Sequence, residues 1–151
     1  MNTRPESEKP SKVLAIDPGA YKCGVAILTT DGTVLRRQVL LPSELALFVR
    51  SALSDGSVSA IVLGNGTRSR DIAAQLTQAG ISQEVIYFVD ETNTTVEGKN
   101  RFFEHHPPRG WRRFVPRGLL TPDREYDDFA AVILAERYLR ASHRNSSTTR
   151  R

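Results

Sequence analysis

The order of short apolar runs and turn signals in the N-terminal part of the chain is the feature that most constrains the fold. Three runs, at 12–17, 24–29 and 34–40, have no helical period and have the length of strands. Asp31-Gly32, between the second and third runs, is a strong hairpin signal. These runs predict a meander of three strands.

The next segments alternate between helix and strand. Pro42 opens a helix that ends at Asp55-Gly56, and a wholly apolar strand follows at 60–63. A second helix at 69–79 leads to another buried strand at 85–89. Strands joined through helices pair in parallel, with right-handed connections. The sequence therefore predicts an α/β sheet with helices covering its faces.

Beyond the fifth strand, the sequence predicts a helix, a long loop and a last helix. Capping-box spacing starts a helix at Thr94 that runs to about 105, prolines and glycines make 106–122 a loop, and the last helix spans about 125–140. The predicted organisation is a disordered tail at 1–11, one folded domain at 12–141 and a disordered basic tail at 142–151.

The composition is that of a globular protein, with 39% hydrophobic and 25% charged residues. No apolar run approaches the roughly 20 residues that span a bilayer, and the N-terminus lacks the apolar core of a signal peptide. A single cysteine, Cys23, excludes an internal disulfide framework. We therefore expect a cytoplasmic protein with no membrane partner.

Basic side chains are unevenly distributed along the chain, whose formal net charge is +4. Arginines cluster in the long loop with aromatic residues between them, and such stretches suit phosphates and stacked bases. A solvated charged loop is the alternative, but the clustering favours a polyanion as the partner. The candidate nucleic-acid-binding residues are Lys22, Arg109, Trp111, Arg112, Arg113 and Arg117.

Three acidic residues occupy positions where such a sheet is expected to bind a ligand. Asp17 ends strand one, Glu91 follows the fifth strand and Asp127 begins the last helix. Ligands collect outside the carboxyl ends of parallel strands, so Asp17 and Glu91 share that edge if strand one pairs in parallel with the strand that carries Glu91. Carboxylates suit Mg²⁺ or Mn²⁺, and two such ions support phosphodiester hydrolysis. The alternative for Asp17 is a turn residue that is bonded to its own backbone.

Other kinds of site are less well supported. The three histidines, at 105, 106 and 143, lack the spacing of a zinc site. The segment 64–67 precedes a helix and can hold an anion there, but it lacks the lysine and the spacing of a P-loop.

Three segments resemble the motifs of the YqgF family: Ile16-Asp-Pro-Gly-Ala-Tyr-Lys-Cys-Gly-Val-Ala26, Val89-Asp-Glu-Thr-Asn-Thr-Thr-Val-Glu97 and Tyr126-Asp-Asp-Phe-Ala-Ala-Val-Ile-Leu134. These are RuvC-like nucleases that include Holliday junction resolvases and pre-16S rRNA processing nucleases. The resemblance implies an RNase H-like α/β fold, with a five-stranded mixed sheet of strand order 3-2-1-4-5 and helices on both faces. It implies that Asp17, Glu91 and Asp127 are the catalytic and metal-binding residues, and that Asp128 is the alternative to Asp127.

Two positions depart from the family pattern. Thr92 stands where the family often has an arginine, and Gly64-Asn-Gly66 replaces the common Gly-x-Pro after the fourth strand. Asn65 is neutral where RuvC-type enzymes offer a glutamate. We therefore expect weaker metal binding or a site with three carboxylates.

The residues and the resemblance together predict a Mg²⁺- or Mn²⁺-dependent endonuclease or exonuclease. Its substrate would be structured RNA, such as pre-16S rRNA, or branched or single-stranded DNA in repair. Junction cleavage needs two active sites and hence a homodimer. The competing hypothesis is a non-catalytic RNA- or DNA-binding module on the same fold, for instance in ribosome assembly. An actin-like phosphotransferase, which shares the strand-one hairpin, is disfavoured by the small size.

Overall fold

The computed structural model describes residues 11–19, 21–90, 104 and 127–148, and the side chains of 127, 128 and 145–148 are outside that description. The strands are β1 Lys12–Pro18, β2 Cys23–Thr29, β3 Val34–Leu40, β4 Val58–Gly64 and β5 Ile86–Val89. They form one mixed sheet in the order β3-β2-β1-β4-β5, which confirms the predicted strand order.

The first three strands form the predicted meander. β1 pairs with β2, and β2 with β3, both in antiparallel orientation. The chain reverses between β2 and β3 at Asp31 and Gly32, where the Gly32 amide donates to the Thr29 carbonyl at 3.0 Å. Gly32 has a φ of 94°, a conformation that residues with a Cβ rarely adopt. The turn therefore requires glycine at this position.

Two helices make the crossovers to the parallel part of the sheet. α1, Pro42–Leu53, connects β3 to β4, and α2, Thr67–Gln78, connects β4 to β5. β4 pairs in parallel with both β1 and β5, as helical connections require. The fifth strand begins later than predicted, because Gln83–Val85 form a short 3-10 helix. The Ser82 hydroxyl accepts the Glu84 amide at 3.3 Å and holds the chain in this turn.

The sheet has an apolar core on each of its faces. α1 and α2 pack on one face, and a third helix, α3, Asp127–Thr148, packs on the other. Successive residues of a strand point to opposite faces, so Leu14 lies under α1 and α2 while Ala15 lies under α3. The core under α3 is rich in small side chains, which let the helix lie close to the sheet: Ala15, Ala26, Ala60, Ala131 and Ala135.

α3 is longer than the predicted helix, since it continues to Thr148. The predicted start of the C-terminal tail, at 142, therefore falls within the helix. Residues 140, 141, 143 and 144 are exposed, so no apolar periodicity marks this part of the helix in the sequence. Of the helix predicted to end near 105, only Glu104 is described, and it is helical and exposed. Among the helices that the structure describes, none combines the length and the apolar character needed to span a membrane.

Candidate functional site

Asp17 is held in the β1–β2 ladder, short of the turn that follows it. It pairs with Gly24 of β2 and is half-buried. The turn closes further out, where the Gly19 amide donates to the Lys22 carbonyl at 2.8 Å. Residues directly opposite in an antiparallel pair carry their side chains on the same face. Gly24 therefore leaves the space beside the Asp17 carboxylate without a neighbouring side chain on β2.

The alternation of β1 places Asp17 on the face that α3 covers. Val13 and Ala15 belong to the core under α3, and Asp17 has the same parity. The start of α3 lies on this face as well, because the Arg37 guanidinium of β3 stacks on the Phe129 ring at 3.9 Å from its centroid. The backbone of the described start of α3 is therefore on the same face of the sheet as Asp17, and the position of the Asp127 side chain stays a prediction.

The ends of three parallel strands form one edge of the sheet, here called the carboxyl edge. Ile16 of β1 is in register with Leu63 of β4, and Gly64 of β4 with Val89 of β5. β4 lies between β1 and β5, as the predicted strand order has it. The edge is shared, since all three strands are parallel. With neighbouring strands about 4.8 Å apart, the ends of β1 and β5 are separated by about 10 Å.

Arg137 of α3 contacts the carboxyl edge, and the sequence did not indicate it. Its Nη1 donates to the Asp90 carbonyl at 2.8 Å, just beyond β5. The next residue of α3 is Tyr138, and its ring centroid lies 5.2 Å from that of Tyr87 in β5. These contacts fix the backbone where β5 ends. An arginine on a helix gives no sequence signal that separates such a contact from ordinary solvation.

The loop after β4 brings no charge to the carboxyl edge. Asn65 is exposed, and α2 begins with Gly66 at its N-cap and no side-chain capping bond. The first turn of α2 contains Arg68 and no acidic residue, although a helix N-terminus favours negative charge. The Ser69 hydroxyl, with the residue 1% exposed, has no hydrogen-bond partner within the described part of the chain.

The turn between β1 and β2 projects from the carboxyl edge. Lys22, a predicted nucleic-acid-binding residue, is exposed there, close to Asp17. Tyr21, its neighbour, is 86% exposed. Sequence reasoning passed over Tyr21, because a single aromatic residue in a turn has no periodic pattern to mark it.

The structure does not describe the side chains of the remaining predicted site residues. The side chains of Asp127 and Asp128 lie outside the description, so Asp17 is the one predicted metal ligand whose side chain is described. Among the described residues, no group of three or more metal-ligating side chains occurs. The following predicted residues lie outside the described ranges: Glu91, Arg109, Trp111, Arg112, Arg113 and Arg117.

Comparison with known proteins establishes the fold. No family model and no curated protein matches the chain. It is similar to Thermus thermophilus RuvC in complex with a Holliday junction substrate, with 13% identity, 88% of this chain and 96% of that chain covered, and a TM-score of 0.52. A further structure of Thermus thermophilus RuvC matches with 14% identity, 87% and 96% coverage and the same TM-score. The chain therefore has the RNase H-like fold of RuvC.

Proposed function

We propose that this chain is a divalent-metal-dependent nuclease that hydrolyses phosphodiester bonds in structured nucleic acid. The observation that carries the proposal is the place of Asp17 in a RuvC-like fold. Its carboxylate is half-buried at the end of β1, on the carboxyl edge and on the face where α3 begins. Ligands of open α/β sheets bind outside the carboxyl ends of parallel strands.

The proposed ligands for the metal are carboxylates. Asp17, Glu91 and Asp127 would hold the metal, with Asp128 as the alternative to Asp127. Such an all-oxygen set fits Mg²⁺ or Mn²⁺, and it lacks the nitrogen and sulfur donors that zinc prefers. The ions, when bound, supply an activated water and neutralise the charge that develops on the phosphate.

The residues of the chain then have separate tasks. The β1–β2 ladder fixes the Asp17 backbone, and Gly24 places no side chain beside its carboxylate on β2, where we propose that a phosphate binds. Arg137 holds the chain at Asp90, the residue that precedes Glu91 in the sequence. In the reaction, water adds to the phosphorus and the bond from phosphorus to one ester oxygen breaks, which leaves a phosphate and a hydroxyl.

We propose structured nucleic acid as the substrate, for two reasons. One similar structure, RuvC, was determined with a Holliday junction, and the sequence motifs resemble those of YqgF nucleases, which include pre-16S rRNA processing enzymes. The net charge of +4 favours a polyanion. Lys22 on the carboxyl edge and the arginines of the 109–117 segment would contact the phosphates. Junction DNA would require a homodimer with two sites, whereas trimming of precursor RNA would not.

The test compares Asp17→Asn with Asp31→Asn. The full-length protein is incubated with junction DNA, single-stranded DNA and precursor rRNA in Mg²⁺ or Mn²⁺. Loss of a partner of a metal ligand typically costs about 10- to 100-fold, so we expect Asp17→Asn, which alters a ligand itself, to lose at least about 100-fold in cleavage rate. Asp31 is exposed in the other hairpin, and Asp31→Asn should cleave like the wild type. Equal cleavage by the wild type and by Asp17→Asn would refute the mechanism.

The second candidate function is a non-catalytic module that binds RNA or DNA. The observation that favours it is the neutral and exposed Asn65 at the end of β4, beside the proposed metal site. Salt-dependent binding of nucleic acid, with no cleavage in any divalent ion, would establish this function instead. Asn65→Glu, which restores a carboxylate at this position, would then show whether a fourth ligand produces cleavage.

A further inference from the structure

Tyr21 is an aromatic side chain held in solvent at the carboxyl edge. It lies between the two strands β1 and β2, next to Lys22, whose carbonyl accepts the Gly19 amide. At 86% exposure, it leaves nearly all of its ring surface in water. Aromatic side chains normally bury 150–250 Å² each, and tight turns favour small and polar residues instead. Local folding therefore gives no reason for a tyrosine at this position.

The other exposed aromatic residues of the described chain have neighbours within the fold. Tyr87 is 42% exposed and contacts the ring of Tyr138. Phe88 is 50% exposed and lines a groove of about 410 Å³ against α2, together with Ala73 and Thr77. Tyr21, at 86%, is more exposed than either, which sets it apart from these two rings as a contact for a molecule other than this chain.

The ladder fixes the position of Tyr21 relative to the candidate site. Asp17 pairs with Gly24 and Pro18 with Cys23, and the turn begins one step beyond. At about 3.3 Å per residue along a strand, the turn brings Tyr21 to within about 10 Å of the Asp17 backbone, on the same edge. A nucleotide whose phosphate lies at Asp17 therefore has its base, or the next base, within reach of the Tyr21 ring.

We propose that Tyr21 is a stacking platform for an unpaired nucleobase next to the phosphate at Asp17. The inference rests on the proposed function, in that it takes nucleic acid as the ligand. An aromatic side chain stacks on any base through its face, but a base inside a duplex has both of its faces covered. The substrate class is thereby narrowed to nucleic acid with an unpaired nucleotide at the site, such as a loop, a bulge, an end or a branch point.

The experiment measures binding separately from cleavage. All variants are made in full-length Asp17→Asn protein, and binding is measured in EDTA. The probes are a duplex with one unpaired 2-aminopurine and a fully paired duplex of the same length. Base stacking on an aromatic residue contributes about 1–3 kcal/mol, so Tyr21→Ala should weaken binding of the first probe by about 5- to 150-fold. Binding of the paired duplex should change less than twofold, which is about 0.4 kcal/mol.

Two control variants establish the cause of the loss. Tyr21→Phe keeps the ring and should retain both the affinity and the quenching of 2-aminopurine fluorescence that stacking produces. Leu47→Ala removes another exposed side chain, 74% exposed on α1, and should change neither probe. Thermal unfolding of each variant verifies that the hairpin remains folded. An equal loss on both probes, no loss on either, or a Tyr21→Phe that behaves like Tyr21→Ala would each overturn the inference.

This design distinguishes failure of the stacking inference from failure of the proposed nuclease. Cleavage by the wild type with Mg²⁺ or Mn²⁺ is measured in separate reactions. Selective binding through Tyr21 without any cleavage would support the platform and refute the nuclease. Cleavage that Tyr21→Ala leaves unchanged, together with unchanged binding, would refute the platform and support the nuclease.

Discussion

The two hairpins of the meander each contain an aspartate near a glycine, and the two carboxylates have different surroundings. Asp31 lies inside the turn between β2 and β3 and is exposed. It accepts the Thr29 hydroxyl and, at 3.0 Å, the Thr33 amide. These hydrogen bonds hold the pKa of Asp31 below its ordinary value of 3.8, and the bond from the Thr29 hydroxyl has the largest effect. Asp31 is a turn aspartate whose carboxylate stabilises its own loop.

Asp17 differs because the ladder, and not the turn, determines its position. It is paired with Gly24, it is half-buried, and backbone groups close its turn two residues further on. The two aspartates therefore differ in where they lie, because Asp31 is within a turn and Asp17 is within a strand. Asp31 accepts hydrogen bonds from its own turn, whereas Asp17 is held in the ladder, one pair before its end, at the carboxyl edge.

The largest expected effect comes from the strand that both hairpins share. Leu28 of β2 is fully buried under α3. Leu28→Ala should lower the free energy of unfolding by about 2–5 kcal/mol, because it removes transfer free energy and leaves a cavity. Urea unfolding followed by circular dichroism measures this loss. Exposed Leu47 provides the control, and Leu47→Ala should stay within about 0.5 kcal/mol of the wild type.

The two hairpins share β2 and belong to one sheet, so we expect them to unfold as one cooperative unit. Leu28→Ala should therefore unfold in a single transition, at a lower urea concentration than the wild type. Two separate transitions would contradict this, since they would mean that the hairpins unfold independently.

Features set by local sequence could be predicted, and features set by distant contacts could not. The Asp31-Gly32 reversal was predicted because its turn chemistry lies in adjacent residues. The parallel strands and the edge on which Asp17 lies followed from the helical crossovers. Arg137 was missed because its partner, the Asp90 carbonyl, is 47 residues away in the chain. β5 begins one residue later than predicted because the Ser82 hydroxyl accepts a local hydrogen bond, and the pattern of apolar residues does not reveal such a bond.

The glycines of the two hairpins offer a second contrast. Gly32→Ala should lower the free energy of unfolding by about 1–2 kcal/mol, because an alanine at a φ of 94° is strained. It should leave cleavage unchanged, since the turn lies at the opposite end of β2 from Asp17. Urea unfolding and cleavage rates measure the two effects.

Gly24→Ala should reverse this pattern. The added methyl group lies beside Asp17 on the same face, and displacement of the substrate by even about 1 Å can cost up to about 100-fold in rate. Cleavage should therefore fall at least tenfold, while unfolding changes little. If Gly24→Ala cleaves normally, the space beside Asp17 is not where the phosphate binds.

The smallest effect concerns the pH dependence of the turn aspartate. Because the pKa of Asp31 is lowered in the folded state, its hydrogen bonds stabilise the protein above pH 3.8, and this contribution is lost as the pH falls through the folded-state pKa. Thr29→Val removes the hydroxyl donor and keeps the shape of the side chain. The pKa of Asp31, measured by NMR titration of its carboxyl carbon, should rise towards 3.8. The stability difference between the wild type and Thr29→Val should be present at neutral pH and should shrink on acidification. If Thr29→Val leaves the pKa of Asp31 unchanged, the Thr29 hydroxyl does not stabilise this carboxylate. The proposed difference between Asp31 and Asp17 would then be wrong.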